Sequence, residues 1–494
     1  MASIVANVIG HVPTVIWWLA ALYALVVGIF MVLENNDPSK TIAWLACFLL
    51  IPVLGVIVYF MFGRDYRAFS REKKLLRQEL GNHLTASPYV SEFLAKQADE
   101  HERLRENGPA IYQRVLQLMR CNGQQRLYAY NSVEILQNAT EKYPRLLADL
   151  QAAQHSIHME YFEWSSDKFM QKVKQILLER AKAGVEVRVI YDPLGCLTML
   201  SWWYIREMNL GGVKMIPWSR LYAIYTLSYR SHRKIAVIDG KIGYTGGMNM
   251  SEEYLCGPKH TKFTGWRDTH VRVTGQVVLG LQANFAVQWY NTTKESLTDL
   301  SYYPAVTGEH AYLPLQIVNS GPDAKWKAIR ELYFAMITGA QKHVYIQSPF
   351  FILDQGLAEA LAGAARSGVD VKIMIAPKGP GFNFPYRAGF TYAENMAEAG
   401  VKIFLYQGEY FHPKTVCVDS VICTIGSTNM DIRSFSINYE LNLIVYDENV
   451  TRDLEKDFIN DLKCCTQFSL RSYKRSSIAQ RTLDSVSRLL SPLL

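Results

Sequence analysis

Charge is scarce in this chain, and its cysteines are scattered. Only 20% of the 494 residues are Asp, Glu, Lys or Arg, and 52 basic against 45 acidic side chains leave a formal charge of +7. So small an excess argues against a generic nucleic-acid coat protein and confines any anion-binding surface to a local patch. The eight cysteines form no C-x-x-C pair and have no histidine at zinc-finger spacing, so neither a disulfide framework nor a structural zinc site is expected. Disorder is excluded by the 49% hydrophobic content, and the length asks for two or three folded units.

Two stretches lack charge altogether. Residues 14–33 and 41–62 are each long enough for the roughly 20-residue helix that crosses a hydrocarbon core. The residues between them include turn formers, Pro38 and Lys40, which predicts a transmembrane hairpin over residues 1–63. Trp17, Trp18 and Trp44 fit an aromatic belt at its ends. Arg64, Arg67, Arg71, Lys73, Lys74 and Arg77 crowd the exit of the second run, which places the bulk of the chain on the cytoplasmic face. Residues 64–108 then read as a polar helical connector.

Beyond the connector, strand and helix patterns alternate, predicting an α/β fold. The pattern is written twice, over 109–310 and 311–494. In the first copy a helix over 168–183 stops at Gly184 before a strand over 185–190. In the second, an Ala/Leu-rich helix stops at Ser367-Gly368 before a strand over 369–375.

The sharper repeat is polar. His232-Arg233-Lys234, Asp239 and Gly246-Gly247-Met248-Asn249 recur as His412-Pro413-Lys414, Asp419 and Gly426-Ser427-Thr428-Asn429, in one unbroken register. Apolar stretches flank Asp239-Gly240 and Asp419-Ser420, which predicts β-hairpins with His and Lys on the first strand, sharing a face at i and i+2. Histidine supplies a nucleophile or a proton, lysine a cation with three donors, and asparagine an amide donor. Two such sets converging would make a phosphoryl pocket that needs no metal and no other cofactor.

These residues resemble the doubled H-x-K-x4-D signature of the phospholipase D superfamily. The two uncharged runs, residues 426–435 and Asn438-Tyr439-Glu440 resemble, within it, the bacterial cardiolipin synthases. The resemblance implies two pseudo-symmetric phospholipase D-like α-β-α sandwich domains behind an N-terminal two-helix transmembrane hairpin in the bacterial inner membrane. It implies that His232 attacks phosphorus to form a phosphohistidine, and that His412 protonates the leaving alcohol and deprotonates the incoming one. The symmetry of the motifs leaves the inverse assignment open. Lys234, Lys414, Asn249 and Asn429 would hold phosphoryl oxygens, while Asp268 and Glu440 would stand behind the histidines and fix their tautomers. Asp239 and Asp419 belong with the catalytic set as the last letter of the motif, although their place on the turn side of the strands reads as structural. Gly247, where the second copy has Ser427, leaves the first half without a hydroxyl contact. The implied substrate is phosphatidylglycerol, which forms cardiolipin and releases glycerol without a nucleotide or nucleic-acid partner. Lipid hydrolysis, or phosphatidylethanolamine as donor, is the alternative.

Three features have two readings each. Trp202, Trp203, Tyr204, Trp218, Leu221, Tyr222, Ile224 and Tyr225 read as a lipid entrance or as core. Arg471, Lys474, Arg475, Arg481 and Arg488, with apolar residues at helical spacing, read as an amphipathic helix on anionic lipid or as ordinary packing. Arg233 and Arg433 read as headgroup contacts or as solvated side chains. His155, His158, His270 and His343 fall outside the register and read as ordinary residues.

Overall fold

The computed structural model describes residues 2–33, 38–51, 53–55, 59, 87–124, 126–219, 228–259, 261–306, 308–381, 383–489 and 491. The chain divides into two compact units, residues 1–68 with 220–229, and residues 69–219 with 230–494.

The first unit contains the helices Ala2–Leu33 and Pro38–Leu50, which contact each other. Side chains of the first helix are described from Trp17 onward, and Leu22, Leu25 and Phe30 are exposed there. Inside, Trp44 and Phe48 meet Tyr59, with ring centroids 5.2 and 5.4 Å away. Over the described residues no helix is long and apolar enough to cross a membrane. The expected span at 14–33 falls within the helix Ala2–Leu33, the one at 41–62 lies partly outside the described residues, and connector residues 64–86 with Leu221, Tyr222, Ile224 and Tyr225 of the expected lipid entrance lie wholly outside them. The rest of the expected connector is helical, over Pro88–Ala95 and Gln97–Asn107.

The second unit is built on one sheet of 15 strands. Its first half contributes β1 (Leu127–Gln137), β2 (Ser156–Tyr161), β3 (Glu186–Tyr191), β4 (Lys214–Pro217), β5 (Ile235–Ile238) and β6 (Ile242–Gly246), with β7 (Trp266–Arg267) outside the sheet and β8 (Thr269–Gly275) in it. The second half contributes β9 (Tyr312–Ser320), β10 (His343–Ser348), β12 (Asp370–Ile375), β13 (Lys402–Tyr406), β15 (Thr415–Val418), β16 (Ile422–Gly426), β18 (Glu440–Val445) and β19 (Cys465–Gln467), with β11 (Phe351–Ile352), β14 (Tyr410–Phe411) and β17 (Met430–Asp431) outside the sheet.

Outward from the central antiparallel pair β1/β9, one half runs β1-β8-β6-β5-β2-β3-β4 and the other β9-β18-β16-β15-β10-β12-β13, with β19 added at the far edge. The repeat in the sequence is thus a repeat of strand order. The outer strands β2/β3/β4 and β10/β12/β13 are parallel, as crossover helices require. The expected helix over 168–183 is found as Lys168–Lys182, started by the Asp167 carboxylate accepting from the Met170 N–H and ended near Gly184 at φ +92°. The second copy has Gln355–Arg366, with Asp354 accepting from the Leu357 N–H and Gly368 at φ +98°. Helices bury apolar faces on the sheet, for example Tyr143, Leu146 and Leu150 of the helix Asn138–Ala152.

Both expected hairpins form, β5/β6 and β15/β16, but each is shorter than the pattern suggests. The turn pairs Asp239-Gly240 and Asp419-Ser420 all have positive φ, between 53° and 63°, the backbone of the tight turn that suits a twisted hairpin. The paired strands begin only at Ile235 and Thr415. His232 and Lys234 therefore precede a strand rather than lie on one, and the reason is at the site itself.

Candidate active site

Each motif histidine is held by the opposite half. The His232 N–H donates to the Tyr439 carbonyl at 2.9 Å, and the Tyr439 N–H donates to the Arg230 carbonyl at 2.8 Å. The mirror contact runs from the His412 N–H to the Arg267 carbonyl at 2.8 Å, where β14 pairs in parallel with β7. The backbone at each histidine is thereby drawn from its own hairpin to the other half, which is why the strands start late.

The carboxylates are exchanged in the same way. His232 Nδ1 lies 3.0 and 3.1 Å from the two oxygens of Glu440, and His412 Nδ1 lies 2.7 Å from Asp268 Oδ2. An ionised carboxylate only accepts, so each ring carries its proton on Nδ1 and keeps the lone pair on Nε2. Both Asp268 and Glu440 are wholly buried, and the histidines are 8% and 7% exposed. Burial opposes ionisation of Glu440, yet His232, Lys234 and the Ser427 hydroxyl together hold it below the usual carboxylate range.

The lysines complete the pocket. Lys234 and Lys414 are buried, and each ammonium donates to the carbonyl of its own histidine, leaving two protons per lysine for another acceptor. Burial pushes Lys414 down to about 8 and lowers Lys234 as well, where the charge of Lys414 adds to the effect. Each lysine feels Glu440 and Asp268 together, so the two halves share one electrostatic environment.

The histidines nonetheless differ. Tyr254, Trp266 and Tyr410 surround His412, with ring centroids 6.2, 5.0 and 5.8 Å away, whereas Phe162 is 5.1 Å from His232. Burial, with the Lys414 charge, pushes His412 down to about 3 against the pull of Asp268. Burial also lowers His232, where Glu440 is the largest opposing influence.

Of the expected phosphoryl ligands, Asn249 is the most committed. Its Nδ2 donates to Glu163 Oε2 at 2.9 Å and to the Tyr254 hydroxyl at 3.2 Å, and its Oδ1 accepts from the Glu163 N–H at 3.3 Å. Asn249 thus orients Glu163 instead of presenting free amide protons. Asn429 is less committed, since its Oδ1 is buried without a hydrogen-bond partner.

Asp239 and Asp419 are not part of this pocket, which corrects their placement in the catalytic set. Asp239 accepts from the N–H groups of Gln154, His155 and Ser156 at 2.9, 2.7 and 2.9 Å. Asp419 does the same for Gln341, Lys342 and His343 at 2.7, 2.7 and 2.8 Å. Each carboxylate fastens the start of a neighbouring strand, β2 or β10, at the turn end of its hairpin. Asp239→Ala and Asp419→Ala are each expected to cost about 2–4 kcal/mol by orphaning these donors. Denaturant unfolding would show that loss, with turnover per folded molecule staying near wild type.

Gly247 also has a physical reason. A Cβ there would fall 2.1 Å from Asp268 Oδ1, so the carboxylate fills the space that a side chain would need. In the second half Ser427 occupies the equivalent place and donates its hydroxyl to Glu440 Oε2. The hydroxyl missing from the first half is thus replaced by the Thr269 N–H, which donates to Asp268 Oδ1 at 2.7 Å.

Two buried ionisable neighbours of the pocket escaped the sequence reading. Glu163 is pushed up by burial against the pull of Lys234 and Lys414, and Phe350 stands at the corresponding place after β10, so no repeat marks it. Lys142 is fully buried with Nζ 3.0 Å from the Met248 carbonyl, and Asp268 opposes the lowering of its pKa by burial. A signal existed for Lys142, because it shares the spacing of Leu146 and Leu150 on the buried helix face.

The remaining candidates divide. Arg233 is buried, with Nε 3.4 Å from the Glu440 carbonyl, and Arg433 feels Asp431, Arg230 and Asp192, so neither is a solvated side chain. Trp202 and Trp203 are exposed, whereas Tyr204 and Trp218 are core. His343 pairs with Glu455 at 2.7 Å, and burial pushes His158 down to about 4 beside Gln282.

Comparison with known proteins places this geometry in context. The family model described as cardiolipin synthase, PLD-like domain, matches residues 146–260 and 333–462, and the phospholipase D-nuclease N-terminal model matches residues 15–64. The cardiolipin synthase of Geobacillus sp. (strain WCH70) is 38% identical over 94% of this chain and 90% of its own length. That of Listeria monocytogenes (strain EGD-e) is 36% identical over 94% of this chain and 95% of its own. Among solved structures, phosphatidylserine synthase of Haemophilus influenzae Rd KW20 superposes with a TM-score of 0.60 at 14% identity, covering 77% of this chain and all but 1% of that one, a likeness of fold.

Proposed function

We infer, from a chain that belongs to the cardiolipin synthase family of phospholipase D-like proteins, that it joins two phosphatidylglycerol molecules into cardiolipin and releases glycerol. The observation that carries the reading is the reciprocal clamp, in which each half supplies the carboxylate and backbone that orient the other's histidine.

In the first step His232 Nε2 attacks phosphorus, a P–N bond forms, and the P–O bond to glycerol breaks as His412, carrying a proton on Nε2 as well once the phosphodiester anion is bound, gives that oxygen the Nε2 proton. In the second, the headgroup hydroxyl of another phosphatidylglycerol loses its proton to His412 and attacks phosphorus, and the P–N bond breaks. One phosphodiester replaces another, so the reaction balances without a nucleotide. The free protons of Lys234 and Lys414, with Asn429, offset charge on the non-bridging oxygens, where such charge is concentrated. Asn249 acts through Glu163.

A second reading inverts the histidines. His412 at about 3 is mostly neutral near pH 7 and suits nucleophilic attack, while Glu440 favours the protonated form of His232. A bound phosphodiester anion raises both rings toward the charged form.

The two pseudo-symmetric domains are placed at 109–310 and 311–494, with the connector at 64–108. Residues 1–63 form the transmembrane hairpin, in the bacterial inner membrane with the catalytic domains on the cytoplasmic side. The uncharged runs, the arginine and lysine cluster after them and the N-terminal family match support this placement. Purified protein in phosphatidylglycerol vesicles is expected to make cardiolipin and glycerol in equal amounts with no nucleotide added. Mass spectrometry of lipids and released headgroups checks it, and phosphatidic acid as sole product, or no product, defeats the reading.

A further inference from the structure

The helix Ile478–Leu489 is built inside out. Its two buried side chains are polar, Asp484 and Ser487, while Ile478, Leu483, Val486 and Leu489 are 86%, 41%, 48% and 79% exposed. The anchor is specific. The Asp484 carboxylate accepts from Arg387 Nη1 at 3.0 Å and from the Tyr473 hydroxyl at 3.1 Å, which fastens the helix to the neighbouring helix Phe384–Glu398. A helix that needed only to pack would turn its apolar stripe inward and leave the carboxylate in water.

At helical spacing the four apolar residues form one stripe, with Arg481 and Arg488 together along one border. Arg481 makes no ion pair with any described residue, and Arg488 lies 4.6 Å over the Tyr392 ring. An apolar stripe edged by cations matches the boundary between acyl chains and anionic headgroups, in which such helices lie flat. A second copy of the same basic face would meet it with like charge.

We propose that this helix is an interfacial element of the folded body, with Ile478, Leu483, Val486 and Leu489 seated in the surface of an anionic bilayer and Arg481 at its headgroups. The proposal rests on the lipid reading of the active site only for its biological purpose. Its physical content is that a bilayer, rather than protein, covers the stripe.

The test uses the full chain, because the N-terminal segment alone could retain protein on vesicles. A nitroxide is attached at Val486→Cys, or at Gln480→Cys on the other side of the helix, each compared with identically treated wild type whose exposed Cys121, Cys256 and Cys464 supply the background. In vesicles containing phosphatidylglycerol, the ratio of oxygen to nickel-chelate accessibility should rise several-fold at residue 486 relative to detergent, and stay flat at 480. Unchanged water exposure at 486 overturns the proposal. So does spin–spin broadening that grows with protein density, which would assign the stripe to a second copy, or an equal rise in phosphatidylcholine alone, which would remove the role of charge. As a functional check, Leu483→Glu with Val486→Glu should lower turnover of vesicle lipid several-fold and leave turnover of detergent-dispersed lipid unchanged. An inactive wild type would defeat the proposed reaction while leaving the nitroxide result to decide this proposal.

Discussion

Replacing His232 by alanine is expected to lower cardiolipin formation by on the order of 10⁴ to 10⁶-fold, the scale on which removal of a covalent nucleophile acts. The loss belongs to chemistry rather than to folding. His232 is at the pocket and retains some exposure, so its removal orphans Glu440, which keeps the Ser427 hydroxyl as a donor. That should cost roughly 1–3 kcal/mol of stability, measured by thermal unfolding beside the lipid assay. The contrast with His412→Ala makes the experiment informative. A phosphatidyl ester with a good leaving group needs no acid, so the His412→Ala protein should still be phosphorylated on His232 and then stall, for want of a base to activate the second alcohol. Mass spectrometry of the trapped protein reads the site directly. A phosphohistidine at 412 in the His232→Ala protein would establish the inverted assignment that burial of His412, which holds its ring neutral, favours.

Glu440→Gln should have the next largest effect, about 10⁴-fold on turnover, because an amide no longer forces the proton onto His232 Nδ1. The substitution keeps size and shape, but one face of the new side chain donates where the carboxylate accepted from both the ring and Ser427. With the amide nitrogen turned to the ring, Nδ1 must accept, so the hydrogen sits on Nε2 and the attacking ring lacks a lone pair for phosphorus; turned the other way, Ser427 loses this acceptor. Acid stability should respond as well. Glu440 has its folded-state pKa lowered, so the stability it contributes is present above the unfolded carboxylate pKa and is lost as pH falls through the folded value. Unfolding midpoints measured from neutral pH down through the carboxylate range should therefore fall less steeply in the Gln variant than in wild type.

How much of this was legible in the chain can be followed residue by residue. Gly184 and Gly368 marked the ends of their helices because a left-handed residue after a helix is a local requirement. The hairpin turns at Asp239 and Asp419 were legible for the same reason. Their carboxylates were counted with the catalytic set through the motif although their place on the turn side already read as structural, and the three N–H groups facing each of them supply the partners for that task. Trp218 and Tyr204 looked as suited to an entrance as Trp202 does, since burial is a tertiary property that composition does not carry. Glu163 stayed hidden because its counterpart is Phe350, and a reading based on repetition is blind where the two halves differ.

By itself the sequence determined that two matched sets of histidine, lysine and asparagine recur in one register, and it pointed to them as the reactive groups because composition does not explain rare polar residues so repeated. Only the tertiary structure decided that the sets are exchanged, each histidine oriented by Asp268 or Glu440 from the other half, and that His412 is enclosed by aromatic rings to a degree His232 is not. The physical reason is that hydrogen-bond direction and burial depend on neighbours distant along the chain, whereas turn chemistry and side-chain identity are written locally.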